Sequence, residues 1–148
     1  MGQRAQDQPA SASVRSFLVA DIRGYTSYTA AKGDEAAARL VERFAELISD
    51  GVTAWSGAVV ELRGDEALAV FESPRSALRA AVELQAALVD ETRDHPSEPL
   101  DVGIGLDAGE AVPVGEGYRG AALNRAARLC SSARFITATR SDRAKASI

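Results

Sequence analysis

The sequence predicts an α+β domain of the ferredoxin-like type, β-α-β-β-α-β, with an antiparallel sheet and helices on one face. Three observations predict it: two long segments with apolar residues at helical spacing, four short apolar segments before, between and after them, and a Gly-Asp break that reads as a hairpin. At 148 residues the chain suits one compact domain.

The elements follow in order. Residues 1–13 are small and polar and read as a disordered lead-in. Phe17, Leu18, Val19 and Ala20 form an uninterrupted apolar run up to Asp21, as a buried strand does. Gly24 breaks it. Asp34 then caps a helix whose Leu40, Val41, Phe44, Leu47 and Ile48 share one face, with an end expected near Gly51. Ala58–Arg63 and Ala67–Phe71 are rich in strand formers, and Gly64-Asp65 between them marks the hairpin. Pro74 opens a second helix, with a buried stripe expected from Leu78, Ala81, Val82, Leu88 and Val89. Residues 95–99, HPSEP, form a loop. Leu100–Leu106 alternates with glycine as a strand, Ala111–Val114 reads as a further strand, and Gly120–Ala133 as an alanine-rich helix. The second face of the sheet is left needing a cover.

Composition excludes several classes. No run of 18 apolar residues is present, so no transmembrane helix is expected, and MGQRAQDQPASAS has no apolar core of a secretory signal. Cys130 is the one cysteine, so neither an internal disulfide nor a cysteine metal cluster can form. A sequence pI near 5.1 gives no reason to expect nucleic acid. The expectation is a cytoplasmic protein. From Arg125 onward the chain carries +5 and before it −9. An acidic body with a basic end fits a site for metal ions and a polyphosphate, and a solvated surface fits it as well.

The candidate chemistry sits at turns. Asp21 ends the first strand and Asp65 lies in the hairpin. If strands one and three are neighbours, the two carboxylates meet at one edge, where oxygen ligands suit a hard divalent cation completed by phosphates. A turn aspartate is the plainer reading of each. Gly24, Tyr25 and Thr26 follow Asp21 at a helix start, where free N–H groups can cradle phosphate. Asn124 and Arg128 stand four apart on the last helix and so share a face, fit for a sugar hydroxyl and a phosphate or for an exposed polar stripe. His95 reads as exposed, Cys130 as buried packing, Trp55 as core or interface, and Tyr25 and Tyr118 as turn packing.

FLVADIRGYT, VVELRGDEALAVF, VGIGLDAGEA and YRGAALNRAARL, over residues 16–133, resemble in order and spacing the class III adenylate/guanylate cyclase catalytic domain. The resemblance implies a lyase that cyclises a purine nucleoside triphosphate to its 3′,5′-cyclic monophosphate with release of pyrophosphate, for intracellular signalling. It implies two divalent ions, Mg2+ or Mn2+, held by Asp21, Asp65 and the Ile22 carbonyl. Asn124 then positions the ribose and Arg128 stabilises charge on the α-phosphate. It implies a head-to-tail homodimer, with metal aspartates from one protomer facing Asn124 and Arg128 of the other. No membrane or nucleic-acid partner is implied.

Base choice departs from the adenylate cyclase pattern. Glu61 stands where those enzymes carry lysine, and Gly117 where they carry aspartate. A carboxylate accepts hydrogen bonds from guanine N1–H and the 2-amino group, so the expectation is GTP over ATP. An outward Glu61 paired with Arg63, with no role in base choice, is the competing reading. After Ala133 the family continues into further strands, one with a phosphate-contacting lysine. Here RFITATRSDRAKASI, residues 134–148, reads as an irregular basic tail, Lys145 does not match, and a shortened sheet is expected. The alternative function is a degenerate cyclase homology domain that binds nucleotide or dimerises without turnover. A diguanylate-cyclase-like reading of RGDEAL is disfavoured by NRAAR.

Overall fold

The computed structural model describes residues 11–133. The lead-in before residue 11, the basic tail and Lys145 lie outside the described residues. The elements are β1 (Ser13–Ile22), α1 (Tyr25–Lys32), α2 (Asp34–Ala54), β2 (Ala58–Arg63), β3 (Glu66–Phe71), α3 (Pro74–Asp94), β4 (Val102–Val114), β5 (Gly117–Arg119) and α4 (Ala121–Ser132). The five strands form one sheet in the order β2-β3-β1-β4-β5, and every neighbouring pair is antiparallel. The α+β class is as the sequence predicts, and β1 and β3 are neighbours. No helix among the described residues is long and apolar enough to cross a membrane.

β1 explains both faces. Strand side chains alternate, so Leu18, Ala20 and Ile22 enter one core with Leu40, Phe44 and Ile48 of α2 and Leu84 and Leu88 of α3. Phe17 and Val19 point the other way and pack with Val70, Ala122, Ala126 and Cys130. The two long helices of the β-α-β-β-α-β unit, α2 and α3, share one face as expected, and α4, which follows that unit, covers part of the other face that the sequence leaves needing a cover. The glycines of β4 permit this. Gly103 and Gly105 pair with Asp21 and Val19 and so share the α4 face. A Cβ on Gly105 would meet the Ala126 carbonyl and the Cys130 amide, so α4 rests its backbone directly on the sheet.

Other boundaries differ for packing reasons. α2 runs through Gly51 to Ala54, because Gly51 leaves room for Leu84 of α3 to sit against the helix. The buried stripe of α3 is Ala77, Ala80, Ala81, Leu84 and Leu88, whereas Leu78 and Val82 are each 58% exposed. Ala77, Ala80 and Ala81 let α3 approach closely, and Leu78 and Val82 turn outward. Ala111–Val114 is no separate strand but the end of a 13-residue β4. α1 is an extra short helix between β1 and α2. Arg43 joins α2 to α3 and its following loop through Glu91 at 2.6 Å and Glu98 at 3.1 Å. Trp55 packs against the α2–α3 core and donates to Glu83 at 2.9 Å.

Candidate active site

The alternation that buries Phe17 and Val19 puts Asp21 on the α4 face, at the end of β1. Asp21 pairs with Glu66 on one side and Gly103 on the other. One step on, the Ile22 N–H donates to the Asp65 carbonyl at 2.8 Å, tying the end of β1 to the hairpin tip. The hairpin turns through Gly64 and Asp65, with Gly64 at φ 55°, a left-handed conformation that glycine suits. Asp21 and Asp65 thus stand at one end of the sheet. Partial burial is the larger cause that raises the Asp21 carboxyl above its ordinary value; Arg23 opposes the rise and the like charge of Asp65 adds to it.

Arg23 Nη1 lies 3.1 Å from Asp21 Oδ1, but out of line for a hydrogen bond, and this buried oxygen has no hydrogen-bond partner. An anionic oxygen left without a donor suits a hard cation. No group of three or more His, Cys, Asp or Glu forms a cage among the described residues. Mg2+ characteristically takes one or two carboxylates and fills its shell with water and substrate phosphate. The residues present fit that mode.

Gly24 takes φ 65° and starts α1, whose first helical bond runs from the Tyr28 N–H to the Gly24 carbonyl at 2.9 Å. The N–H groups of Tyr25, Thr26 and Ser27 precede that bond, and no side chain caps them. They are donors beside the two carboxylates.

On β2 the pairing shifts between Val59 and Glu61, so Val60 is a bulge residue. The bulge turns Glu61 and Arg63 onto the α4 face, opposite Leu68 and Glu66. They border a cleft with Val19, Leu68, Leu123 and Ala127. Within it Arg63 Nε lies 2.5 Å from Glu61 Oε1. Both sequence readings of Glu61 therefore meet here, since it faces a cleft with apolar walls and is also paired with Arg63. Gly117 is not part of this cleft. It starts β5 opposite Val114, beside Tyr118, whose ring meets Phe17 edge-on at 5.7 Å.

α4 buries Ala122, Ala126 and Cys130, which leaves Asn124 and Arg128 on its exposed side. Among the described residues neither side chain makes a hydrogen bond or ion pair, and neither touches Asp21 or Asp65. Both are presented outward, to solvent.

Sequence reading missed three groups. Arg23, the variable residue of the D-I-x-G-Y-T segment, pairs with Asp21. Asp101, at the entry to β4, accepts from the Arg23 N–H at 2.7 Å through its carbonyl, and burial pushes its carboxyl up to about 6. Asp107 pairs with Arg125, and that guanidinium together with the Ala108 N–H holds its carboxyl below its ordinary value. The Gly-x-Gly spacing of β4 was the available signal for a close approach by another element. Cys130 is buried as expected, with its thiol donating to the Gly103 carbonyl at 3.3 Å.

No family model matches the chain. An uncharacterised Mycobacterium tuberculosis protein is 32% identical over 117 residues, which are 77% of this chain and 29% of that protein. The chain spans less than a third of the length of the curated relatives it matches, 12% to 29%. Among solved structures, the guanylyl cyclase Cya2 superposes with a TM-score of 0.74 at 27% identity, over 84% of this chain and 73% of that one. An adenylate/guanylate cyclase/hydrolase from Silicibacter pomeroyi superposes with a TM-score of 0.72 at 28% identity, over the same shares. With this fold and the four motif segments in order, the chain belongs to the class III adenylate/guanylate cyclase homology domains.

Proposed function

We propose that this domain is a nucleotidyl cyclase that converts a purine nucleoside triphosphate, GTP in preference to ATP, to the 3′,5′-cyclic monophosphate and pyrophosphate. The observation that carries the reading is the pair Asp21 and Asp65, held at one sheet end by the Ile22–Asp65 bond beside the uncapped start of α1. Asp21, Asp65 and the Ile22 carbonyl would hold two Mg2+ or Mn2+ ions, which supply Lewis-acid activation of the 3′-hydroxyl and offset phosphate charge. The chain's own groups do the rest. The N–H groups at Gly24, Tyr25 and Thr26 orient phosphate oxygens. Arg128 of a second copy supplies positive charge where negative charge grows on the α-phosphate, and Asn124 beside it fixes the ribose. Glu61, on the cleft lined by Leu68 and Leu123, accepts from guanine N1–H and the 2-amino group once it parts from Arg63. Gly117, which has no side chain, neither reads adenine nor blocks guanine.

The test is product analysis from GTP and from ATP, each with Mn2+ and Mg2+. Cyclic GMP above cyclic AMP, absent with Asp65→Ala, is the expected result. Cyclic AMP in excess would overturn the role of Glu61 and keep the cyclase. A folded dimer giving no cyclic product would overturn the activity.

A further inference from the structure

Arg23 links Asp21 of the candidate site to the end of α4. Its side chain leaves the end of β1 on the same side as Asp21, two residues before it. One nitrogen lies 3.1 Å from Asp21 Oδ1. Another reaches the end of α4, donating to the carbonyls of Cys130 and, at 3.1 Å, of Ala133. These are carbonyls of a helix end, where the backbone dipole is negative and a cation is favoured. The path between the two crosses Gly103, where a Cβ would collide with the guanidinium. Arg23 thus lies between two negative groups, along a track left open by a residue without a side chain.

We propose that Arg23 is a tethered cation that holds Asp21 until a divalent ion displaces it, and that its release loosens the last turn of α4. The inference rests on the reading of Asp21 and Asp65 as metal ligands. The metal and the guanidinium are both cations seeking Asp21 Oδ1, a buried oxygen that lacks a hydrogen bond, so each weakens the hold of the other. Because α4 also carries Asn124 and Arg128, loading of the metal side is communicated to the helix that serves the second site of the dimer. Linkage makes the effect reciprocal: whatever strengthens the grip of Arg23 on α4 lowers metal affinity. Arg23 is a positioning residue in this account and touches no substrate.

The experiment is an Mn2+ titration followed by electron paramagnetic resonance, on the unmodified protein, Arg23→Met, Arg23→Lys and Asp65→Ala. Hydrogen exchange of residues 127–133 is measured with and without Mn2+. Arg23→Met is expected to bind Mn2+ about tenfold more tightly than the unmodified protein. Arg23→Lys keeps the charge and stays near the unmodified affinity. Mn2+ is expected to speed exchange in the last turn of α4 only when Arg23 is present, because Arg23→Met has already lost that restraint. Equal or weaker Mn2+ binding by Arg23→Met, or exchange in the unmodified protein that Mn2+ leaves unchanged, would overturn the proposal. If Mn2+ binds and depends on Asp65 yet ignores Arg23, only this inference falls. If Mn2+ binds no form, the metal reading falls with it.

Discussion

The backbone N–H of Ile22 donates to the carbonyl of Asp65 across 2.8 Å. Residues 43 positions apart are thereby fixed at one end of the sheet, and the carboxylates beside that bond face the same region. The bond is between backbone groups, so carboxylate substitutions leave it in place. Asp21→Asn is therefore expected to keep the fold while lowering turnover at least about 100-fold, through loss of a metal-binding charge. Comparison of thermal unfolding with cyclic-nucleotide production checks this. An equal loss of both would assign Asp21 a structural role.

The close approach of α4 to β4 gives a stability prediction. A methyl group at Gly105 would meet the Ala126 carbonyl and Cys130 backbone, neither of which can turn aside as a flexible side chain does. Gly105→Ala is expected to destabilise the domain by about 2 kcal/mol. The urea unfolding midpoint measures it, and an unchanged midpoint would contradict the packing described.

Much of this architecture is written in local pattern. The apolar run of β1, the spacing of Leu40, Phe44 and Ile48, and the Gly64-Asp65 break each dictate an element without long-range information. The placing of Asp21 and Asp65 at one sheet end was legible because chain order brings β1 beside β3. Leu78 and Val82 were misassigned because hydrophobicity favours them over Ala77 and Ala80, while close packing of α3 favours the smaller residues. The reach of Arg23 to α4 was not legible because it depends on a partner 107 residues away and on the absence of a side chain at Gly103. Gly117 is grouped with Glu61 by resemblance alone, and in the structure it starts β5 opposite Val114. The bulge at Val60, which aims Glu61 into its cleft, leaves no trace in the alternation of AVVELR.

Base choice is tested at Glu61. Glu61→Lys reverses the charge facing the purine and removes the acceptor for guanine N1–H. The ratio of kcat/KM for GTP over ATP is expected to fall at least about tenfold. Arg63→Ala frees the Glu61 carboxylate from its ion pair and is expected to lower KM for GTP. A ratio insensitive to Glu61→Lys would leave this residue as a surface carboxylate paired with Arg63.

Acid stability is tested at Asp107. Its carboxyl titrates below the ordinary 3.8 in the folded state because Arg125 and the Ala108 N–H favour the anion. The unfolded chain therefore binds this proton more tightly than the folded one. The stabilisation is present above about pH 4 and is lost as pH falls through the depressed folded value. Asp107→Asn is expected to flatten that part of the stability–pH curve and to leave the curve near neutrality lower by a constant amount. Urea midpoints from pH 2 to pH 7 measure it, and parallel curves over the acid range would contradict the pairing.

In the proposed function, metal carboxylates of one copy act with Asn124 and Arg128 of another. Subunit mixing tests it most directly. Asp65→Ala and Arg128→Ala are each expected to be inactive alone. In an equal mixture half the dimers are mixed, and each mixed dimer holds one intact site, so about a quarter of the unmodified activity returns. Recovery of cyclic nucleotide with matching pyrophosphate is the result the account predicts. A mixture as inactive as its components, beside an active unmodified protein, would contradict it.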